Sequence, residues 1–264
     1  MSERARLNEE RPIRAGKEQA AARRLIAQSA NEYSGAGPLH KFIQYHSKRW
    51  DYVLRLCKTL VPREASVLDV GRSHLSFALA AYFENTYTLG FPIGDREPYS
   101  EGEVGRRPTA HITFNLNNVQ DLSMWPELPK VDLICFAETI EHLYTAPELV
   151  LLFLKTALKP GGYIVCQTPN AASLAKRLRL LAGRNPYDRI RPYTEDPGHF
   201  REYTKAELFE IGQAAELKVL RHEYVDYFGT EGSQGRQAIA QLITFVGVFY
   251  SPFRRGQTVL YTPT

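Results

Sequence analysis

From residue 66 onward, short apolar runs alternate with segments whose apolar residues recur every three or four positions. Ser66–Val70, Thr86–Gly90, His111–Leu116, Val131–Ala137, Tyr163–Gln167, Val219–Phe228 and Thr258–Tyr261 have the length and composition of strands. Leu75–Phe83 reads as a helix between the first two. Thr145 and Glu148 have capping-box spacing, Pro147 suits a first helical turn, and Leu149, Leu152, Phe153 and Leu154 supply an apolar face. That helix stops at Lys159-Pro160-Gly161-Gly162, and Thr204 and Glu207 repeat the capping-box spacing ahead of a helix to about Ala215. Strands separated by helices return through right-handed crossovers, so the sheet is mainly parallel with helices on its faces.

Outside this alternation three segments stand apart. Residues 1–37 are expected to be a flexible basic N-terminal segment, because they are rich in Arg, Glu and Ala and poor in large apolar groups. Phe42, His46, Trp50, Val53, Cys57 and Leu60 fall at spacings of three and four, which predicts a helix over 39–61 lying across the edge of the main domain, 38–264. Residues 91–109 contain Pro92, Pro98 and Pro108 and read as a long loop.

Charge and cysteine usage narrow the function classes. The net charge of +4 is concentrated, with seven basic against four acidic residues in 1–30 and seven against three in 176–201. The fold body is therefore mildly acidic, which disfavours nucleic acid as substrate, since such binders show a broad basic face. Three cysteines make no disulfide framework and point to a reducing, cytoplasmic setting; Cys135 and Cys166 lie in apolar strands and read as inert core. No apolar run is long enough to span a bilayer. The seven histidines and three cysteines show no ligand spacing, so no metal is expected.

In an open parallel sheet, ligands bind beyond the carboxyl ends of the strands where the topology switches direction. The first such end reads Asp69-Val70-Gly71-Arg72-Ser73-His74, an acid followed by a glycine turn whose N–H groups can approach a ligand. The fourth reads Phe136-Ala137-Glu138-Thr139-Ile140-Glu141-His142-Leu143 and continues through Lys159-Pro160-Gly161-Gly162 to Thr168-Pro169-Asn170. Over 131–170 this resembles the second half of a class I S-adenosylmethionine-dependent methyltransferase, of the small-molecule branch that includes quinone-biosynthesis enzymes. Gly198-His199-Phe200-Arg201-Glu202-Tyr203-Thr204 resembles that branch's segment before its last core helix. The resemblance covers about 65–228.

It implies an α/β, Rossmann-like, seven-stranded, mainly parallel sheet with helices on both faces and the last strand antiparallel. It also implies S-adenosyl-L-methionine as cofactor, held by Asp69, Gly71, Arg72, Ser73, Asn115, Leu116, Phe136, Ala137 and Glu138. Two features depart from the family pattern. Only Gly71 remains of the two or three glycines usual at the first turn, Ser73 and Leu75 standing at the later positions. The second strand ends Leu89-Gly90-Phe91-Pro92 without the acid that usually binds the ribose diol, Asp95 being the nearest that follows. Asn115 stands where the family usually offers an Asp to the adenine amino group, and its amide oxygen can accept that bond.

The expected reaction is methyl transfer to an oxygen or nitrogen of a small acceptor, anionic or lipid- or sugar-linked. His142 and His199 are the candidate catalytic bases. The substrate side is expected in an insertion at 171–203, where Arg177, Arg179, Arg184, Arg189 and Arg191 suit an anionic acceptor. An apolar helical insertion at 233–253 holds a nearly continuous apolar run, 238–250, read either as packed helix or as a membrane-surface or dimer contact. Two rival readings are a catalytically inactive binding protein on the same fold and a nicotinamide-dependent dehydrogenase. The second lacks the Gly-x-Gly-x-x-Gly turn and its following acid.

Overall fold

The computed structural model describes residues 39–93, 107–192, 197–227 and 245–264, with side chains of the first helix from His46 on. The N-terminal segment 1–37, Asp95 and most of the 233–253 insertion lie outside the described residues. The chain divides into two units: residues 43–187 with 199–264, which carry the sheet, and a small unit of 1–42 with 188–198. In the small unit, the Arg191 N–H donates to the Pro197 carbonyl across 3.0 Å.

In the larger unit, seven strands form one sheet in the order β3-β2-β1-β4-β5-β7-β6. They are β1 (Ser66–Val70), β2 (Asn85–Gly90), β3 (Ala110–Thr113), β4 (Val131–Ala137), β5 (Leu158–Pro169), β6 (Leu217–Val225) and β7 (Gly256–Pro263). The pairs β1·β2, β1·β4, β2·β3 and β4·β5 are parallel, and β7 runs antiparallel to both β5 and β6. The expected fold class is thus the observed one. Chain direction across the sheet reverses between β1 and β4, which opens a crevice at their carboxyl ends.

Successive side chains on each strand point to opposite faces, so each buried strand feeds two cores. Leu68, Val70, Ile134, Phe136, Ile164 and Cys166 pack with α3 (Pro147–Lys155) and α5 (Lys205–Ala214) on one face. Val67, Leu133, Cys135 and Val165 pack with α1 (Leu39–Leu60) and α2 (His74–Tyr82) on the other. α1 packs on the face of the sheet. Trp50, Val53, Leu56 and Cys57 cover the central strands, and Cys57 Sγ lies 3.3 Å from Cys135 Sγ. Cys135 and Cys166 are fully buried; the hydrogen bond with Cys57 and then burial raise the Cys135 thiol, and burial raises that of Cys166, consistent with inert core positions.

The Thr204–Glu207 capping box is present, with Glu207 Oε2 accepting the Thr204 N–H at 2.8 Å. The Thr145–Glu148 box is not. α3 starts one residue later, with Ala146 as N-cap and Pro147 in the first turn, while the Thr145 hydroxyl accepts from Gln120 Nε2 at 3.0 Å. Pro147 takes the first helical position, where its fixed φ suits the helix and its missing N–H costs nothing, and this leaves Thr145 outside the helix with a tertiary partner. Among the described residues no helix is long and apolar enough to cross a membrane.

Candidate active site

The first strand end turns on Gly71, whose φ of 87° is one that side-chain-bearing residues rarely adopt. A Cβ there would meet Thr139 Oγ1 at 3.0 Å, and the Gly71 N–H already donates to the Leu89 carbonyl at 2.8 Å. Thr139 Oγ1 in turn donates to the carbonyls of Val70 and Ala137. The ends of β1, β2 and β4 are thereby pinned to one another around a residue with no side chain. Above them opens a cleft of about 240 Å³, lined by Val70, Gly71, Arg72, Leu89, Gly90, Phe91, Phe114, Asn115, Leu116, Thr139 and Leu143, among others. Arg72 and Phe91 line this space without filling it. The Arg72 guanidinium donates to Thr88 Oγ1 at 3.2 Å and lies over the Phe77 ring, and Phe91 is 68% exposed.

Ser73 caps α2. Its hydroxyl accepts the Leu75 N–H, and Ser76 Oγ accepts the Ser73 N–H at 2.9 Å. The Ser76 hydroxyl then donates to Asp69 Oδ2 at 2.5 Å. Asp69 is 1% exposed, and burial raises its pKa to about 7 against the pull of Ser76, Arg49 and Arg72. Because the folded-state value is raised, this carboxyl adds stability that is complete below its ordinary value near 3.8 and is lost as pH rises through about 7. Asp69→Asn keeps an acceptor for Ser76 and removes the titration. The expected result is a variant whose melting temperature, relative to wild type, climbs between pH 4 and 8. A constant difference over that range would contradict it.

The third strand ends at a single turn of 3-10 helix, Leu116–Asn118, capped by Asn115. Asn115 Oδ1 accepts from both the N–H and the side-chain amide of Asn117, at 3.0 and 3.2 Å. The oxygen expected to receive an adenine amino group is thus committed to the turn. At the second strand end His111 bridges Thr88 Oγ1 and the Phe91 carbonyl, both at 2.9 Å. No carboxylate stands there among the described residues.

After β4 the chain gathers ionisable groups. Glu138 has φ 51°, a left-handed conformation uncommon for a residue with a side chain, and its N–H donates to the Gln167 carbonyl at 2.7 Å. Its carboxylate lies 3.8 Å from Arg49 of α1, and burial raises its pKa to about 7. Glu141 is fully buried; Thr168 Oγ1 donates to its Oε2 at 3.0 Å, and burial, then the neighbouring Glu138, push its pKa well above the ordinary carboxylate value. The Glu141 carbonyl accepts the N–H groups of Phe200 and Arg201, which docks 199–201 onto the 3-10 turn Ile140–His142. His142 and His199 consequently meet edge to face, ring centroids 4.8 Å apart. His199 Nδ1 contacts Glu202 Oε1 at 3.1 Å, and Lys176 pairs with Glu202 from the other side.

A model of the methyltransferase-domain family matches residues 40–222, more than half of the chain. The chain belongs to this methyltransferase family. Its seven-stranded, mainly parallel sheet is the Rossmann-like fold of S-adenosylmethionine-dependent methyltransferases. Solved structures agree at the level of fold. A putative methyltransferase complexed with the Trm112 activator from Haloferax volcanii is 15% identical, with TM-score 0.54 over 90% of this chain and 95% of that one. The 1,6-didemethyltoxoflavin-N1-methyltransferase of Burkholderia thailandensis, solved with its substrate and S-adenosylhomocysteine, is 14% identical, with TM-score 0.53 over 94% and 90%. A S-adenosylmethionine-dependent methyltransferase from Clostridium acetobutylicum is 15% identical, with TM-score 0.53 over 83% and 92%. No curated protein sequence matches the chain.

Of the residues that the sequence assigns to the methyltransferase cofactor, Gly71, Arg72, Asn115 and Leu116 line the cleft. Asp69 and Ser73 stand beneath it in the α2 cap network. Phe136 is fully buried in the sheet core, so its side chain serves packing and only its backbone is at the strand end. Ala137 and Glu138 follow it at that edge. The catalytic candidates His142 and His199 are brought together. Two polar residues escaped the sequence reading. Arg49 lies on the apolar stripe of α1 between His46 and Trp50, and a charge on a buried face was the available signal. Gln167, fully buried at the end of β5, has neither amide atom hydrogen-bonded, and nothing in its apolar strand marks it.

Proposed function

We propose that this methyltransferase moves a methyl group from S-adenosylmethionine to an oxygen or nitrogen of a small acceptor, anionic or lipid- or sugar-linked. The observation that carries the proposal is the open cleft above Gly71 at the switch point of the sheet. The cofactor supplies an activated methyl on a cationic sulfur. With the Gly71 and Ser73 N–H groups taken by Leu89 and Ser76, the Arg49 guanidinium suits its carboxylate. Leu89, Phe114, Leu116 and Leu143 suit the adenine ring, with the Asn115 amide nitrogen as the polar contact on offer. Asp69 and Glu138 suit the neighbourhood of the cationic centre.

Transfer is an in-line displacement, so holding acceptor, methyl and sulfur in line supplies much of the rate. His142 and His199 form the acceptor side and are where its proton is managed. The basic segment with Arg177, Arg179 and Arg184 suits an anionic group on the acceptor. A non-catalytic binder on this fold would have no use for two buried carboxyls beside two histidines, an arrangement that is costly to keep. The test is a screen with the methyl-labelled cofactor against hydroxylated and amino compounds bearing phosphate, carboxylate, sugar or lipid. Label in an acceptor supports the proposal, and cofactor binding without transfer to any class contradicts it.

A further inference from the structure

We infer that Glu141, His142 and His199 form a site for one divalent cation, with Glu138 beside it. One ligand atom of each of the three lies within 4.8 Å of the others. Coordination at about 2.1 Å brings ligand atoms to roughly 3 Å of one another, a separation that small side-chain rotations reach from here. The second observation is an unmet need at the same point. Glu141 is fully buried, with Oε2 taken by Thr168 and Oε1 without a hydrogen-bond partner. Glu138 Oε1 is likewise buried and without a hydrogen-bond partner. Adjacent buried carboxylates require a proton or a cation, and Arg49 reaches Glu138 only at 3.8 Å.

The surroundings match a metal site as well as the ligands do. His199 Nδ1 is engaged by Glu202, which Lys176 anchors, the kind of outer carboxylate that orients a metal-ligating imidazole. Two imidazoles with carboxylate oxygen suit a divalent first-row ion such as Mn²⁺ or Zn²⁺. Sequence spacing does not show this grouping. Glu141 and His142 are adjacent, but His199 arrives only because the Glu141 carbonyl binds the Phe200 and Arg201 N–H groups.

The consequence for the reaction rests on the methyl-transfer reading; cation binding itself does not. A cation at this place selects a hydroxyl acceptor, binds its oxygen and lowers its pKa. The hydroxyl proton leaves to solvent and an oxygen lone pair forms the new C–O bond. The C–S pair departs with sulfur, converting the sulfonium to a neutral thioether.

The test uses the full chain, stripped with a chelator and titrated with MnCl₂ while free Mn²⁺ is followed by electron paramagnetic resonance, and separately with S-adenosylhomocysteine. One Mn²⁺ should bind per chain. Glu141→Gln and, independently, His199→Asn should each weaken it at least about 10-fold while the circular dichroism spectrum is unchanged. Zn²⁺ should displace the Mn²⁺. Binding of neither ion, or affinity unchanged in both variants, overturns the cation site. Mn²⁺ bound without S-adenosylhomocysteine would instead sink the methyl-transfer reading and leave the site standing.

Discussion

Gly71→Val is expected to weaken binding of S-adenosylhomocysteine at least about 100-fold, equivalent to roughly 2.7 kcal/mol. Two effects act together. The backbone at φ 87° is strained for any residue with a Cβ, and the Cβ itself would stand 3.0 Å from Thr139 Oγ1. Thr139 cannot yield freely, because its hydroxyl ties Val70 to Ala137. The turn must therefore shift, and with it the wall of the cleft that Gly71 and Arg72 form. Gly161→Ala is the control: φ there is 76°, so it shares the strain, but nothing lies within 4 Å of the new Cβ. It should lose some stability and keep full affinity. Calorimetric titration of the two variants separates a specific effect on the cleft from general destabilisation. Equal affinities would show that the turn does not hold the ligand.

The second large effect is expected at the histidine pair. His142→Ala and His199→Ala should each lower kcat at least about 100-fold, within the range seen when a group that activates the acceptor, directly or through a bound cation, is lost. Affinity for S-adenosylhomocysteine should change less than about 3-fold, since a residue that acts on the acceptor contributes to the transition state rather than to cofactor binding. The double variant should be little worse than the poorer single one, because the rings meet at 4.8 Å and act on one acceptor group. Steady-state kinetics with the acceptor identified by the labelled-methyl screen checks this. Near wild-type kcat in either single variant would make the pair a packing contact.

The sheet was legible because its signal is local and redundant. Seven runs of the right length and composition, separated by helix-patterned segments and breakers, admit few topologies. The Thr204–Glu207 cap could be read directly, since capping chemistry acts within a few residues, whereas the expected stop at Lys159-Pro160-Gly161-Gly162 falls inside β5, the helix having ended at Lys155. The Thr145–Glu148 box misled because spacing alone does not say which residue a proline will make the first of the helix. The place of α1 was illegible for another reason. Its apolar stripe shows that one face is buried, but not which surface buries it, and only the contact of Cys57 with Cys135 reveals the central strands beneath.

The candidate site divides along the same line. Gly71, Asn115 and Glu138 were found because each sits at a strand end, a position that sequence order fixes. What each atom does there was not legible. The Asn115 oxygen turned out to hold its own turn, and the Phe136 side chain to face the core. The grouping of Glu141, His142 and His199 depends on backbone hydrogen bonds between segments nearly sixty residues apart, and no local pattern encodes that closure. Arg49 combined both problems, lying on a helix whose docking surface was unknown.

The central claim is that the crevice above β1, β2 and β4 holds a sulfonium nucleoside on a single-glycine turn. Isothermal titration of the wild-type chain with S-adenosylhomocysteine tests it most directly. The account predicts saturable binding of one ligand per chain with Kd below about 100 µM, or more than roughly 5 kcal/mol. Absence of heat and of any thermal stabilisation at millimolar ligand would contradict it.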